Sequence, residues 1–316
     1  MAGKQSGNRD SLVLGGGAIP GAHGQHAYTL SRHELAPIPI LIAVPHAGRS
    51  YPPGLLARMR NPSRAALKLE DRYVDLLAKA VAEQTGASLL IAHAPRAMID
   101  LNRALEELDW DMVRVGAGLE RRPVRAGRRA RSGLGLVPRR LPEIGELWTR
   151  RMEESELEAR IDGIHKPYHA ALADCLRRLR ERWGAALLLD LHSMPPLARR
   201  GSGDAAPHFV VGDRFGATCD GALCAAAFDE FSAQRQRAAH NRPYAGGYVL
   251  ERHGAPQRGL HAMQIEICRS IYLDSRLAEP GPQIDGVVAI LTRLVRRLAG
   301  EVAALGRANQ LPQAAE

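Results

Sequence analysis

An α/β fold is predicted by three features of the chain. Short apolar runs alternate with longer amphipathic stretches, as strands interleaved with helices do. The runs at 38–44 and 185–191 read as buried strands, and Met263, Ile265 and Ile267 alternate with Gln264, Glu266 and Cys268 at the period of a strand with one polar face. Near the end, Ile284, Val287, Val288, Leu291, Leu294, Val295, Leu298 and Val302 recur at helical spacing. In order, residues 1–35 are Gly-rich and read as a flexible tail, and 36–308 read as a single domain. Within it the pattern predicts a helix over 65–85, a strand over 87–91, helical structure over 142–182 broken at Pro167, a strand over 209–211 and a helix over 218–231. Residues 116–140 interleave arginine with Gly and Pro, show no apolar period and read as a surface loop or lid.

Composition narrows the class. With 316 residues, 45% hydrophobic and 24% charged, the chain can bury a large core. The apolar run at 38–44 is far too short to span a bilayer, and the N-terminus lacks the pattern of a signal peptide, so a cytoplasmic protein without a membrane partner is expected. Cys175, Cys219, Cys224 and Cys268 show no C-x-x-C spacing and read as buried thiols rather than disulfides or a thiolate zinc site. A net charge of +9 raises nucleic acid or another polyanion as a partner. Only Lys4, Lys68, Lys79 and Lys166 are lysines, however; the excess is arginine in an Ala/Arg/Gly-heavy chain, which weakens that reading.

Three polar residues interrupt apolar strands near their ends: His46 in VPHAG, His192 in LLLDLHSMP and Glu266 in MQIEI. Strand ends of an open α/β sheet are where ligands bind, because the loops diverge there. Two neutral imidazoles from separate strands can meet at one cation, and a catalytic zinc needs a third protein ligand and an open position. LKLEDRYVDLL offers Glu70, Asp71 and Asp75 as the acid, and spacing leaves the choice open. The bland reading of any one of these histidines is a hydrogen-bonded core residue. Asp190 is placed to accept from a ligand imidazole. His165 and His169 stand four apart on a helix, but Lys166 and Pro167 between them favour a structural role. His253 and His261 flank the Glu266 strand and could line the pocket, whereas LGGGA runs into proline instead of a helix and is no phosphate loop.

PHAGRSYPP, EDRYVDLL, PRAMIDLNR, HKPYHAAL, DLHSMP, NRPYAGGYV, HGAP and HAMQIEICRSIYLD occur in this order and together resemble the successive motifs of the N-formylglutamate amidohydrolase family. The resemblance implies a three-layer αβα sandwich around a mixed β-sheet, similar to the zinc exopeptidases, and a Zn2+ held by His46, His192 and an acid of EDRYVD, with Asp71 favoured over Glu70. It implies Glu266 as the catalytic acid/base; His261, from its place beside the Glu266 strand, is the next choice. Asn102 and Arg103 of DLNR would grip a substrate carboxylate, with Arg96, Arg242 and Arg269 as further candidates for a positive pocket. The expected substrate is the dicarboxylate N-formyl-L-glutamate, cut to formate and L-glutamate in histidine degradation. Another N-acyl amino acid or a carboxypeptidase-like reaction on the same site is the nearest alternative. An Arg-rich polyanion-binding protein with a vestigial site is the alternative from another class.

Overall fold

The computed structural model describes residues 11–114, 127–198 and 205–310. One eight-stranded mixed sheet organises them: β1 (Ser11–Gly16), β2 (Tyr28–His33), β3 (Ile40–Val44), β4 (Ser88–Ala92), β5 (Ala186–Met194), β6 (Phe209–Gly212), β7 (Ala238–His240) and β8 (Leu260–Cys268), in spatial order β1-β2-β4-β3-β5-β8-β6-β7. The four central strands β4, β3, β5 and β8 are parallel, so their C-terminal ends share one edge. β2 joins antiparallel on one side and β6 on the other.

The helices that frame this sheet and its polar end are α1 (Pro62–Leu69), α2 (Val74–Thr85), α3 (Glu154–Arg160), α4 (Lys166–Trp183), α5 (Gly221–Ala233), α6 (Tyr248–His253) and α7 (Ile284–Gln310). Strand periodicity divides the core. Ile40, Ile42, Val44, Leu187, Leu189, Leu191, Met263, Ile265 and Ile267 pack on one face with α2, α5 and α7. Leu41, Ala43, Ala186, Leu188 and Ala262 face the other way, against α4 and α6. The result is the α/β class that the residue pattern predicted, in the three layers that the resemblance implied.

Several local expectations change. Strands β1 and β2 occupy 11–16 and 28–33, inside the stretch read as a tail, and extend the sheet by antiparallel pairing; residues 1–10 lie outside the described residues. The helix expected over 65–85 is two helices, because α1 ends at Leu69 and α2 begins at Val74. Over 142–182, helix begins only at Glu154; the preceding residues form the short strands Gly145–Glu146 and Met152–Glu153. From α3 the chain runs without a break through one turn of π-helix, Ile161–His165, into α4; Pro167 gives this helix no N–H, and the Gly163 carbonyl four residues back accepts instead from the Ala18 N–H at 2.8 Å. Of the Arg/Gly-rich stretch, 116–126 lie outside the described residues; beyond them, Arg139 pairs with Asp109 and Glu146. No helix among the described residues is long and apolar enough to cross a membrane.

Candidate active site

On the α4 side of β5 and β8, side chains change character along the strands. Ala186, Leu188 and Ala262 are followed on the same face by Asp190, His192, Gln264 and Glu266, with Gln264 opposite Asp190 and Glu266 opposite His192. This polar end meets the turn after β3, which carries His46. Gly48, two residues on, lies so close to the Ala94 carbonyl that any side chain would clash, so glycine lets this turn lie against the β4 end. Asp71 comes from the break between α1 and α2. Its N–H donates to the His46 carbonyl at 2.9 Å, and Tyr73, at φ +60°, turns the chain into α2.

His46, Asp71 and His192 are all buried, and one ligand atom of each lies within 4.8 Å of the others. Each imidazole has its Nε2 committed to a carboxylate: His46 donates to Asp100 Oδ1 at 2.7 Å and His192 to Asp190 Oδ2 at 2.8 Å. That leaves the two Nδ1 lone pairs facing Asp71 Oδ2, at 3.5 Å from His46 and 3.0 Å from His192. His46 Nδ1 has no hydrogen-bond partner among the described residues. Three acceptors converging on one point repel unless a cation or a proton sits among them, and carboxylate-backed imidazoles are how proteins orient metal ligands. The donor set therefore fits a divalent metal, with one carboxylate and two imidazoles as the ligands. Burial alone would raise the Asp71 carboxyl, but the His192 and His46 rings outweigh it and hold it well below the usual range. Burial likewise opposes charge on His192, yet Asp190 and Asp71 raise its pKa well above the ordinary value.

Glu266 stands beside this cluster. Burial pushes its carboxyl up to about 7, opposed by His192 and Arg96 and reinforced by Asp71 and Asp190. Gln264 Nε2 donates to Glu266 Oε1 at 2.9 Å and fixes its rotamer. Asn102 supports that glutamine at 3.4 Å and accepts from the Val249 N–H at 2.9 Å, so its amide ties β8 to α6 instead of facing a ligand.

The other expected residues separate into distinct roles. Glu70 is not part of the cluster; its carboxylate pairs with Arg72 at 3.0 Å, because adjacent residues in the extended break point apart. Arg269 is consumed by structure: it donates to the carbonyls of Leu67 and Glu70 at the C-terminal end of α1 and to Ser193 Oγ, which donates in turn to Asp71 Oδ1 at 3.1 Å. Its place is behind the Asp71 carboxylate, not in a pocket. Arg103 gives Nε to Leu134 O and one terminal N–H to Asn102 O, so its fork does not face a ligand whole. His261 sits near the start of β8, opposite Leu187; five residues from Glu266 puts it roughly 16 Å away on the other face of the sheet. There its Nδ1 accepts from the Asp220 N–H. Arg242 is exposed, beside Leu197 and Pro207 in a cavity of about 290 Å³. Arg96 lies toward the cluster, as does Arg269, whose Nη2 is 3.5 Å from Asp71 Oδ1; half-buried, Arg96 donates Nε to Asp100 Oδ2 at 2.9 Å and feels Asp71 and Glu266. Tyr244, absent from the expected set, feels Glu266, Asp71, Arg269 and Arg96, and burial first among these influences raises its phenol. The NRPYAGGYV motif contained it, but a tyrosine in a Gly-rich turn carries no signal of its own.

A buried two-imidazole, one-carboxylate cluster at the parallel strand ends, with a near-neutral glutamate beside it, marks a hydrolytic enzyme. The chain belongs to the N-formylglutamate amidohydrolase family, whose model matches residues 38–273. It is similar to the N-formylglutamate deformylases of Pseudomonas aeruginosa, at 30% identity over 76% of this chain and 84% of that protein, and of Pseudomonas putida, at 30% identity over 78% and 85%. Among solved structures it is similar to N-formylglutamate amidohydrolase from Ralstonia eutropha JMP134, with a TM-score of 0.78 and 31% identity over 87% of this chain and 98% of that one. A gene product of Agrobacterium tumefaciens shares the fold, with a TM-score of 0.62 at 16% identity over 87% and 96%.

Proposed function

We propose that the protein hydrolyses the formyl amide of N-formyl-L-glutamate to formate and L-glutamate, with a divalent cation held by His46, Asp71 and His192. Imidazole and carboxylate donors with carboxylate partners behind them suit Zn2+. Such a cation supplies Lewis acidity toward the formyl oxygen and toward water. The observation that carries the reading is the convergence of the two Nδ1 atoms on Asp71 Oδ2, with Glu266 on the neighbouring strand.

Glu266 is the general base and then the acid. It takes a proton as water attacks the formyl carbon and returns it to the nitrogen as the C–N bond breaks; a carboxyl held near neutrality can do both. Gln264 keeps it in position. Arg96 lies toward the reacting region, and its terminal N–H groups, which bond to no described residue, suit a substrate carboxylate or the developing oxyanion. Tyr244, kept protonated, offers a further donor.

The test combines metal analysis of the purified protein with turnover of N-formyl, N-acetyl and N-succinyl derivatives of glutamate, aspartate and glutamine. About one catalytic equivalent of metal and preferential formate release from formylglutamate are expected. Preferential cleavage of an acetyl or succinyl substrate would move the protein to another N-acyl specificity on the same site.

A further inference from the structure

At the opposite end of the sheet, a second group of metal-binding side chains lies apart from the candidate active site. Asp213 follows the C-terminal end of β6, His240 ends β7, and Cys224 lies near the start of α5. The ligand atoms of Asp213, Cys224 and His240 all lie within 4.8 Å of one another. Cys224 Sγ is 3.0 Å from Asp213 Oδ2, and His240 Nε2 is 3.1 Å from Asp213 Oδ1. We propose that Asp213, Cys224 and His240 form a second cation site, specific for a thiophilic divalent metal of the Zn2+ class.

The chemistry is distinct from that of the first site. One sulfur, one imidazole nitrogen and one carboxylate oxygen make a three-donor set with a position left for water, and the thiolate and imidazole select zinc-like ions over Mg2+ or Ca2+. The frame is built before any ion arrives. Asn241 donates Nδ2 to Asp213 Oδ1 at 2.7 Å and accepts from the Asp213 N–H at 3.0 Å, holding the carboxylate as an outer partner does. Thr218 Oγ1 donates to the carbonyl of Asp213 or Ala262, both at 3.0 Å, and pins the loop to β8. Phe228 packs edge-on against the His240 ring at 5.4 Å between centroids. Asp213 and Cys224 are buried while His240 is exposed, so the imidazole side is open to an entering ion. Binding would displace the Cys224 thiol proton to solvent, and the α5 N-terminus favours the resulting thiolate.

Cobalt(II) separates the two sites, because only this one contains sulfur. The full-length protein, stripped of metal and titrated with Co2+, is expected to take up two equivalents, one of them giving a near-ultraviolet sulfur-to-cobalt charge-transfer band. His46→Ala should lose one equivalent and keep the band, and Cys224→Ser should lose the band and keep the other equivalent. His240→Ala, at an exposed position that does not endanger folding, should weaken the band-forming equivalent by at least tenfold. A stripped wild type that binds one equivalent with no sulfur band, or a band unchanged in both Cys224→Ser and His240→Ala, overturns the proposal.

Discussion

Two buried histidine clusters, built from the same ring type, take opposite electrostatic forms. In the candidate active site the rings of His46 and His192 are 4.8 Å apart, and each Nε2 faces a carboxylate. In the second cluster, His165 and His169 are 4.4 Å apart and His253 stacks on His169 at 5.3 Å, but their partners are the carbonyls of Arg103 and Leu101 and each other. Burial, with the Arg252 charge nearby, lowers His253 to about 4, and burial with the neighbouring rings lowers His169 to about 2, whereas carboxylates lift His192. Proximity of imidazoles does not make a cation site; the charge of what stands behind and between them does.

The largest effects should follow that division. His46→Ala and His192→Ala are each expected to lose the active-site equivalent of metal and turnover, while His169→Gln retains metal at the wild-type ratio. Elemental analysis of the three proteins decides: full metal in either alanine variant, or its loss in His169→Gln, would erase the contrast. Next comes Glu266→Gln, which preserves shape and metal but should slow kcat by about 10² to 10⁴, the range general acid–base catalysis supplies. Near-normal kcat in that variant would place the base elsewhere. A smaller effect tests the carboxylate behind the ring. Asp190→Asn keeps a hydrogen-bond acceptor yet removes charge, so metal affinity should fall about 10- to 100-fold. Competition with a chelator of known affinity measures it, and unchanged affinity would show that charge behind His192 is irrelevant.

How much of this was legible varies with the signal. His46, His192 and Glu266 stood out because polar residues at the ends of apolar strands have few structural reasons to be there, and parallel pairing brings β3, β5 and β8 side by side. The choice between Glu70 and Asp71 was not legible, since LKLEDRYVDLL reads as continuous helix with no Gly or Pro to stop it. Tertiary contacts make the break: Arg269 takes the last carbonyls of α1, and the Asp71 N–H leaves the helix for His46 O. For the same reason Arg269 and Arg103 looked like substrate arginines, because nothing in a motif says which backbone carbonyls a guanidinium will meet. Strands β1 and β2 were hidden by short length and adjoining glycines, and their pairing is itself long-range information.

The smallest predicted effect lies in the second cluster and concerns acid stability. His253 is neutral in the folded protein down to about pH 4 and His169 to about 2, whereas in the unfolded chain both protonate below about 6.5. Between those limits the unfolded state binds more protons, so stability rises with pH: it is complete above about 6.5 and falls as the solution is acidified toward 4. Each imidazole contributes a slope of about 1.4 kcal/mol per pH unit inside its window. His253→Gln keeps an amide near the His169 ring and removes one titrating group, so its curve should be flatter by about that amount per unit between about pH 6 and 4.5. The measurement is denaturant unfolding of metal-stripped protein at several pH values, which keeps metal release out of the comparison. Parallel curves for the wild type and His253→Gln over that interval would mean that His253 is not held neutral by burial, and the contrast between the two clusters would have to rest on the carboxylates alone.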